Sequence, residues 1–327
     1  MKDQFKAGQP AELRALRAGA ALALVMTMAA GVLPAYAQSG PSPETVKTSD
    51  DNDQPQAGSN EGERDRVYVL GRRVGSSVAT VDVEDAPQVV NIIDGKTLQE
   101  QGVTSLEQAL RNVPGITTQI GEGGVMSGDQ FFIRGISAKN DIFTDGLRDF
   151  GVYTRDSFNY GQVEVFKGPS ASAFGRGAAG GGINTSSKTP YADTNGSAAV
   201  AVGDADYLRV TADWNQNFGS GMAARLAAMS HENGNTGRDH VYSERWGIAP
   251  SFAFGLDSPT TVTLAYLHQQ EEKLTDYGIP VINGVPITEY GVDSKNFYGY
   301  TNDIDETTVD TITARLRHQA NDWLTLT

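Results

Sequence analysis

Residues 162–190, QVEVFKGPSASAFGRGAAGGGINTSSKTP, constrain the fold more than any other stretch of this chain. Val163, Val165 and Phe166 suit a pleated strand, and Gly168-Pro169 stops it. Gly175, Gly177, Gly180, Gly181 and Gly182 follow, with small residues and one arginine between them. A backbone this bare either turns sharply or lies against another backbone at close range. The same residues contain Gly175-Arg176-Gly177-Ala178-Ala179-Gly180, a literal G-x-G-x-x-G. The dinucleotide chemistry of that pattern requires a helix next, with its first turn on a pyrophosphate. What comes next is Gly181-Gly182-Ile183-Asn184-Thr185-Ser186-Ser187-Lys188-Thr189-Pro190. Each glycine there costs about 1 kcal/mol relative to alanine in a helix, and the proline ends it. The nucleotide cradle therefore lacks the helix it depends on.

The N-terminus points to export. Lys2, Lys6, Arg14 and Arg17 precede an apolar run from Ala18 to Leu33, and Ala35-Tyr36-Ala37 is a small-x-small cleavage pattern, so residues 1–37 read as a signal peptide. The competing reading is a membrane anchor, but Gly19, Thr27, Gly31 and Pro34 leave the run short of the roughly 20 apolar residues of a span. The formal charge of −14 becomes −16 once those four basic residues leave with Asp3 and Glu12. A chain so acidic, with no basic stripe, has no general attraction for nucleic acid. It contains no cysteine, which removes disulfides and thiolate metal sites, and its four histidines are too scattered for metal-ligand spacing.

Residues 38–80 read as a disordered linker, too poor in large apolar groups through residue 63 to offset the entropy of ordering. Within it Asp65-Arg66-Val67-Tyr68-Val69-Leu70-Gly71 is a short β-prone run with nothing local to pair with, suited to adding onto a partner's sheet edge. Its alternative is the first strand of the next domain. Residues 81–190 form a mixed α/β pattern the size of one domain. Strands are expected at Val89–Ile93, Phe131–Ile133, Asp141–Thr144 and Gln162–Phe166. One helix is expected after Asp94, and a second from Thr104 with Glu107 closing a capping box.

From residue 191 the period changes to two. Leu208, Val210, Ala212 and Trp214 alternate with Arg209, Thr211, Asp213 and Asn215. Trp246, Ile248, Phe252 and Phe254 share a face, as do Val262, Leu264 and Tyr266, and Ile312, Ala314 and Leu316. Phe218–Gly221 and Leu256–Pro259 are tight turns, whereas Asn233–Ser243 and Glu272–Asp305 are long and polar. Ten-residue alternating runs joined by short turns on one side and long loops on the other fit a transmembrane β-barrel. A soluble β-sandwich shares the alternation, and the export signal and preceding domain favour the barrel.

DRVYVLG, then PQVVNIIDGKTLQEQGVTSLEQALRNVPGI, then FFIRGISAKNDIFTDGLRDFGVYTRDSFNYGQVEVFKGPSASAFGRGAAGGGINTSSKTP, in that order, resemble the TonB-dependent outer-membrane receptors, and among them those for ferric siderophores of the catecholate type. The resemblance implies an α/β plug domain followed by the first strands of an antiparallel transmembrane β-barrel of about 22 strands, incomplete here. It implies a TonB box at Asp65, Arg66, Val67, Tyr68, Val69 and Leu70, with Glu44-Thr45-Val46 as a competing box. It implies ligand contacts from Arg148, Tyr153 and Arg155, joined by Lys139 and Arg238, all suited to an anionic chelate with aromatic rings. Arg134, Glu164, Lys167 and Arg176 would lock the plug to the barrel's polar interior, and the glycine block would lie where plug backbone meets barrel wall.

The implied partners are the periplasmic domain of TonB, the ferric siderophore, outer-membrane lipid and the barrel-assembly machinery. No cofactor and no enzymatic activity are implied, iron entering only as cargo. Residues 191–327 supply about six strands and the start of a seventh, and an open sheet leaves edge groups unpaired in hydrocarbon. The sequence is therefore expected to be the N-terminal part of a longer receptor. The alternative function is a secreted periplasmic or surface binding or adhesion module, built from a small α/β domain and a β-sandwich.

Overall fold

The computed structural model describes residues 88–119, 128–175, 178–321 and 323–327. The signal peptide, the linker and the TonB-box residues Asp65–Leu70 lie outside the described residues, as does Arg176. The α/β domain opens with β1 (Val89–Asp94), whose last residue accepts the Thr97 N–H at 2.6 Å and starts α1 (Gly95–Glu100). Helix α2 (Leu106–Leu110) starts one residue later than its sequence suggests. Ser105 is the cap, accepting the Gln108 N–H at 3.3 Å, and the Gln108 side chain reaches back to the Thr104 N–H at 2.9 Å. Glu107 is turned instead toward Arg111, four residues on, at 3.3 Å.

Short strands β2 (Ile116–Thr118), β3 (Phe131–Ile133) and β4 (Ile136–Ser137) make a three-stranded sheet. The larger sheet contains β1, β5 (Ile142–Thr144), β6 (Leu147–Arg148), β7 (Tyr160–Lys167) and β8 (Gly181–Ser187), in the order β1-β7-β8-β5-β6. Strand β5 runs parallel to β8, and the other pairs are antiparallel. Leu106, Leu110, Phe131, Ile133, Ile142, Val163, Val165 and Ile183 converge between the helices and the sheets as one buried core. Each such side chain contributes about 1.5–3 kcal/mol by leaving water.

Gly180, Gly181 and Gly182 of the glycine block pack inside this domain and not against the wall. Gly181 has φ +132°, and a Cβ there would lie 2.0 Å from the Phe166 carbonyl oxygen. A Cβ on Gly180 would meet Ile136 at 2.7 Å, and one on Gly182 would meet the Phe174 and Phe143 rings at 3.1 and 3.2 Å. The bare backbone lets β8 close onto β7 and under the rings of Phe143 and Phe174, which stack at 4.1 Å. Packing is tight as the composition demanded, but the surface met is the domain's own.

Beyond it the chain makes one seven-stranded antiparallel sheet, the wall. Its strands are β9 (Asn195–Val202), β10 (Leu208–Gly219), β11 (Met222–Gly234), β12 (Tyr242–Phe254), β13 (Thr260–Leu274), β16 (Asp305–Asn321) and the short β17 (Leu324–Leu326). A two-residue-strand hairpin, β14 (Val281–Ile282) with β15 (Val285–Pro286), decorates the connection from β13 to β16. Ser220 and Gly221, both at positive φ, turn β10 into β11, and residues 255–259 turn β12 into β13. The long connections 235–241 and 275–304 share the opposite rim.

Register keeps the two faces apart across the wall. Phe252, Phe254, Leu264, Ile312 and Leu316 point away from the α/β domain and remain exposed, forming the apolar face a lipid bilayer would cover. Arg209, Arg225, His231, Arg245, Gln269 and Glu271 alternate with such residues on the inner side, toward the domain.

Candidate functional site

The α/β domain meets the wall through residues 154–159. Asp156 caps a single 3-10 turn, Ser157–Asn159, by accepting the Phe158 N–H at 3.0 Å. With its backbone so fixed, the carboxylate faces β10 and receives the Arg209 guanidinium end-on, Nη2 to Oδ1 at 2.6 Å and Nη1 to Oδ2 at 2.9 Å. Arg245, two strands away on β12, adds a contact to Oδ2 at 3.4 Å and reaches Glu271 of β13 at 3.5 Å. Lys273 continues the chain of charge to Glu271 at 3.4 Å and Asp305 at 3.6 Å. Inter-strand register explains the convergence, since Arg209, His231, Arg245 and Glu271 are successive partners across four strands.

Burial by itself would raise the Asp156 pKa, but Arg209 and Arg245 overcome it and hold the carboxyl below its ordinary value. Beside the charges, the wall reads the backbone. Gln269 donates to the Thr154 carbonyl at 2.6 Å and accepts the Asp156 N–H at 3.2 Å. Phe158 fills a small apolar socket made by Ala227, Met229 and Ala249, with Leu267 alongside. Gly247 makes the room, because a Cβ there would come within 3.0 Å of the Phe158 ring. Arg315 of β16 reaches the Asp145 carbonyl at 3.1 Å, and Lys188 and Arg225 share Asp213 at 2.9 and 2.8 Å where the domain runs into the wall. The junction is thus mostly ion pairs and hydrogen bonds with one aromatic peg.

Arg155 faces the other way, into its own domain. Its side chain is 3% exposed, with Nε donating to Asp149 at 3.0 Å and Nη2 to the Gly151 carbonyl at 2.7 Å. Its backbone N–H donates to Asp129 at 2.9 Å, and its guanidinium lies 4.2 Å from the centre of the Tyr153 ring. Tyr153 donates to the same Asp149 at 2.7 Å, and burial followed by that carboxylate raises its phenol pKa. Desolvation pushes Asp129 up to about 6 despite Arg155. Arg155, expected with Tyr153 to meet a ligand directly, is a buried strut of the 128–155 loops, and Tyr153 is half-buried against it. Arg238 is likewise committed, bonding Asp276 at 3.0 Å and the Ser294 carbonyl at 2.5 Å, and so ties the two long rim connections together. Lys139 is exposed, and Arg148 pairs with Asp141 at 2.7 Å beside the Phe143 ring.

Of the residues expected to lock the domain to the wall, Arg134, Glu164 and Lys167 have their described contacts within the domain, and Arg176 lies outside the described residues. Glu164 accepts from Asn184 at 2.7 Å and from Gln162 at 3.0 Å. Arg134, at φ 51°, lies over Gly115 and Gly168. Lys167 is buried at the end of β7, and desolvation and then Arg134 lower its pKa. The ion pairs that cross to the wall start from Asp156, Lys188 and Asp145, which the sequence reading did not single out. Its period-two alternation had already turned Arg209 and Asp213 inward, but the partners waiting there could not be read locally.

Residues 82–182 match the family described as TonB-dependent Receptor Plug Domain. The catecholate siderophore receptor Fiu of Escherichia coli K12 is 41% identical over 258 residues, covering 75% of this chain and 34% of the relative. The probable TonB-dependent siderophore receptor PiuA of Acinetobacter baumannii is 38% identical over 256 residues, covering 74% of this chain and 34% of its own. A crystal structure of Fiu from E. coli K12 in a closed form superposes with a TM-score of 0.71 at 38% identity, over 77% of this chain and 37% of that one. The chain spans about a third of the length of these curated relatives. Receptors of this build sit in the outer membrane, and so does this wall. The chain carries the plug domain of a TonB-dependent receptor, followed by the first antiparallel strands of its β-barrel.

Proposed function

We propose that this chain is the plug and opening wall of a receptor that takes up a ferric siderophore, of the catecholate type, across the outer membrane. The observation that carries the reading is the Asp156–Arg209–Arg245 junction. A plug that must move inside its barrel needs a contact that is specific yet separable, and buried charges with an aromatic peg supply that better than a continuous apolar core. The relatives' own descriptions as catecholate and siderophore receptors support the choice of cargo.

In this reading Lys139 and Arg148 offer cationic contact to the anionic chelate, while Tyr153, Arg155 and Arg238 hold the loops that shape its site. Asp65–Leu70 serve as the TonB box, pairing with the periplasmic partner by strand addition. Work from that partner then shifts the plug, and no covalent chemistry is required of the chain.

The test is accumulation of radioactive iron, presented as a ferric tris-catecholate, by iron-starved cells producing the full receptor. Uptake is expected to depend on the receptor and to cease when Asp65–Leu70 are deleted while surface binding persists. Equal accumulation in cells lacking the receptor would sink the proposal.

A further inference from the structure

Asparagine is followed by glycine at three places in the chain, residues 195–196, 233–234 and 283–284. That dipeptide carries a chemistry of its own. The glycine nitrogen can attack the asparagine side-chain carbonyl carbon, because no Cβ crowds the five-membered ring that results. In an extended strand or a left-handed turn the nitrogen is held away from that carbon, and the asparagine ψ must swing before the ring can close. The fold therefore decides which pair reacts, through what has to be broken to permit the swing.

Two of the pairs are held. Asn233 bonds the His231 ring at 3.0 Å and the Gly234 carbonyl at 3.0 Å, and the Gly234 N–H, the group that would attack, donates to the Ala205 carbonyl at 2.6 Å. Both residues also pair with β12, opposite Ser243 and Tyr242. Asn195 and Gly196 pair with Asn215 and Trp214 of β10, and a Cβ on Gly196 would lie 2.3 Å from the Trp214 ring. Swinging either backbone means parting strands of the wall.

Asn283 and Gly284 have no such restraint. They are the central residues of the β14–β15 hairpin, both exposed, with φ 52° and 79°, the two positive angles of a type I′ turn. Among the described residues no hydrogen bond holds the Asn283 amide or engages the Gly284 N–H. Only two residue pairs stand behind the turn, Ile282 with Val285 and Val281 with Pro286, and the proline has no N–H to give. The Ile287 N–H, donating to the Pro280 carbonyl at 2.9 Å, closes the base. Residues 281–286 are all exposed, so no core backs the hairpin, and a two-stranded hairpin on its own is marginal in water.

We propose that Asn283 is a site of spontaneous deamidation on the long-connection rim, with water as its only co-reactant. The Gly284 nitrogen bonds to Asn283 Cγ and gives up its proton, the Cγ–Nδ2 bond breaks, and ammonia leaves. Water then opens the cyclic imide at one of its two carbonyls, yielding aspartate or isoaspartate, and nothing is oxidised or reduced. Either product puts a carboxylate between the exposed Ile282 and Val285. Isoaspartate also threads the backbone through an added methylene, so Ile282 and Val285 lose their register. The site is independent of which cargo the receptor takes.

The test uses the full receptor, incubated in mildly alkaline buffer both folded in detergent and unfolded in guanidinium, with peptide mass analysis and isoaspartate-specific methylation reading each of the three asparagines. In the folded receptor residue 283 is expected to deamidate at least about tenfold faster than residues 195 and 233, the consequence of its cheaper local opening. In the unfolded receptor the three should react at comparable rates. A folded rate at residue 283 no greater than at the other two overturns the proposal. So does a tenfold lead that persists after unfolding, since the preference would then come from neighbouring sequence and not from the hairpin.

Discussion

Asp156 and Arg209 are 53 residues apart in sequence and meet with both carboxylate oxygens against both terminal guanidinium nitrogens, at 2.6 and 2.9 Å, in a site closed to solvent. The pair joins two units of different construction, a small α/β domain and a sheet whose outer face is apolar. Arg245 makes the arrangement asymmetric, since one carboxylate serves two guanidiniums.

That asymmetry orders the mutants. Asp156→Ala strands two buried cations and is expected to cost ~3–5 kcal/mol, the usual price of breaking a buried pair. Arg209→Ala leaves Asp156 its contact with Arg245 and should cost less. Protease susceptibility of the plug and thermal unfolding of the purified receptor give the order, and equal or reversed losses would contradict it.

Asp129 and Asp156 respond to acid with opposite signs. The Asp129 pKa is raised from 3.8 to about 6, so its ionised form weakens the fold, fully above about 6 and not at all below 3.8. Asp129→Asn should remove a penalty on the order of 3 kcal/mol at neutral pH. Asp156 has a lowered pKa, so its stabilisation is present above 3.8 and is lost as pH falls below that toward the folded value. Unfolding free energy followed over this range should therefore rise with pH less steeply in Asp156→Asn than in the parent, and fall less steeply in Asp129→Asn.

The aromatic peg is testable from both sides. Phe158→Ala empties a socket of Ala227, Met229 and Ala249 and should cost about 3 kcal/mol. Gly247→Ala fills the same space with a Cβ 3.0 Å from the ring and 2.9 Å from the His268 carbonyl oxygen. The expected result is destabilisation by both single changes, with Gly247→Ala better tolerated when Phe158 is also truncated. Additive losses in the double mutant would separate the two residues.

Gly181→Ala meets a harder obstacle. Its φ of +132° is unsuited to a side chain, and its Cβ would lie 2.0 Å from a backbone oxygen that cannot rotate away. Loss of the β7–β8 pairing is expected, seen as a plug that is degraded in cells or that exchanges its amide hydrogens freely.

Arg238→Ala should loosen only the rim. Its bonds to Asp276 and to the Ser294 carbonyl join residues 235–241 to residues 275–304, so faster amide exchange is expected in those connections with little change in β11 to β13. Ligand affinity should fall through disorder of the loops, and restoration by Arg238→Lys would show that charge alone suffices.

Much of the architecture is legible without coordinates because its causes are local. Asp94 followed by a helix, Phe131–Ile133 and Ile142–Thr144 as strands, and turns at Ser220-Gly221 all follow from caps, β-branched runs and positive-φ residues close in sequence. The wall is legible for the same reason, since alternation along one strand decides which side chains share a face. The second helix shows where local reading stops. Thr104 and Ser105 are chemically equivalent caps, and the choice fell to Ser105 because the Thr104 carbonyl is engaged by the Ser157 N–H from the far side of the domain.

The sequence by itself determined that a glycine-rich, tightly packed α/β unit precedes a sheet with one apolar and one polar face. Which charges meet was decided only by tertiary structure. Arg155 and Asp156 are neighbours of opposite sign, yet the first is absorbed by Asp149 and Asp129 and the second crosses to Arg209. Nothing in their local sequence assigns those directions, because the partner of a buried charge depends on which surfaces dock and which residues register brings opposite. The glycines obey the same division: their composition demanded a close approach, and only the fold determined that the surface approached is Phe166 of the same sheet.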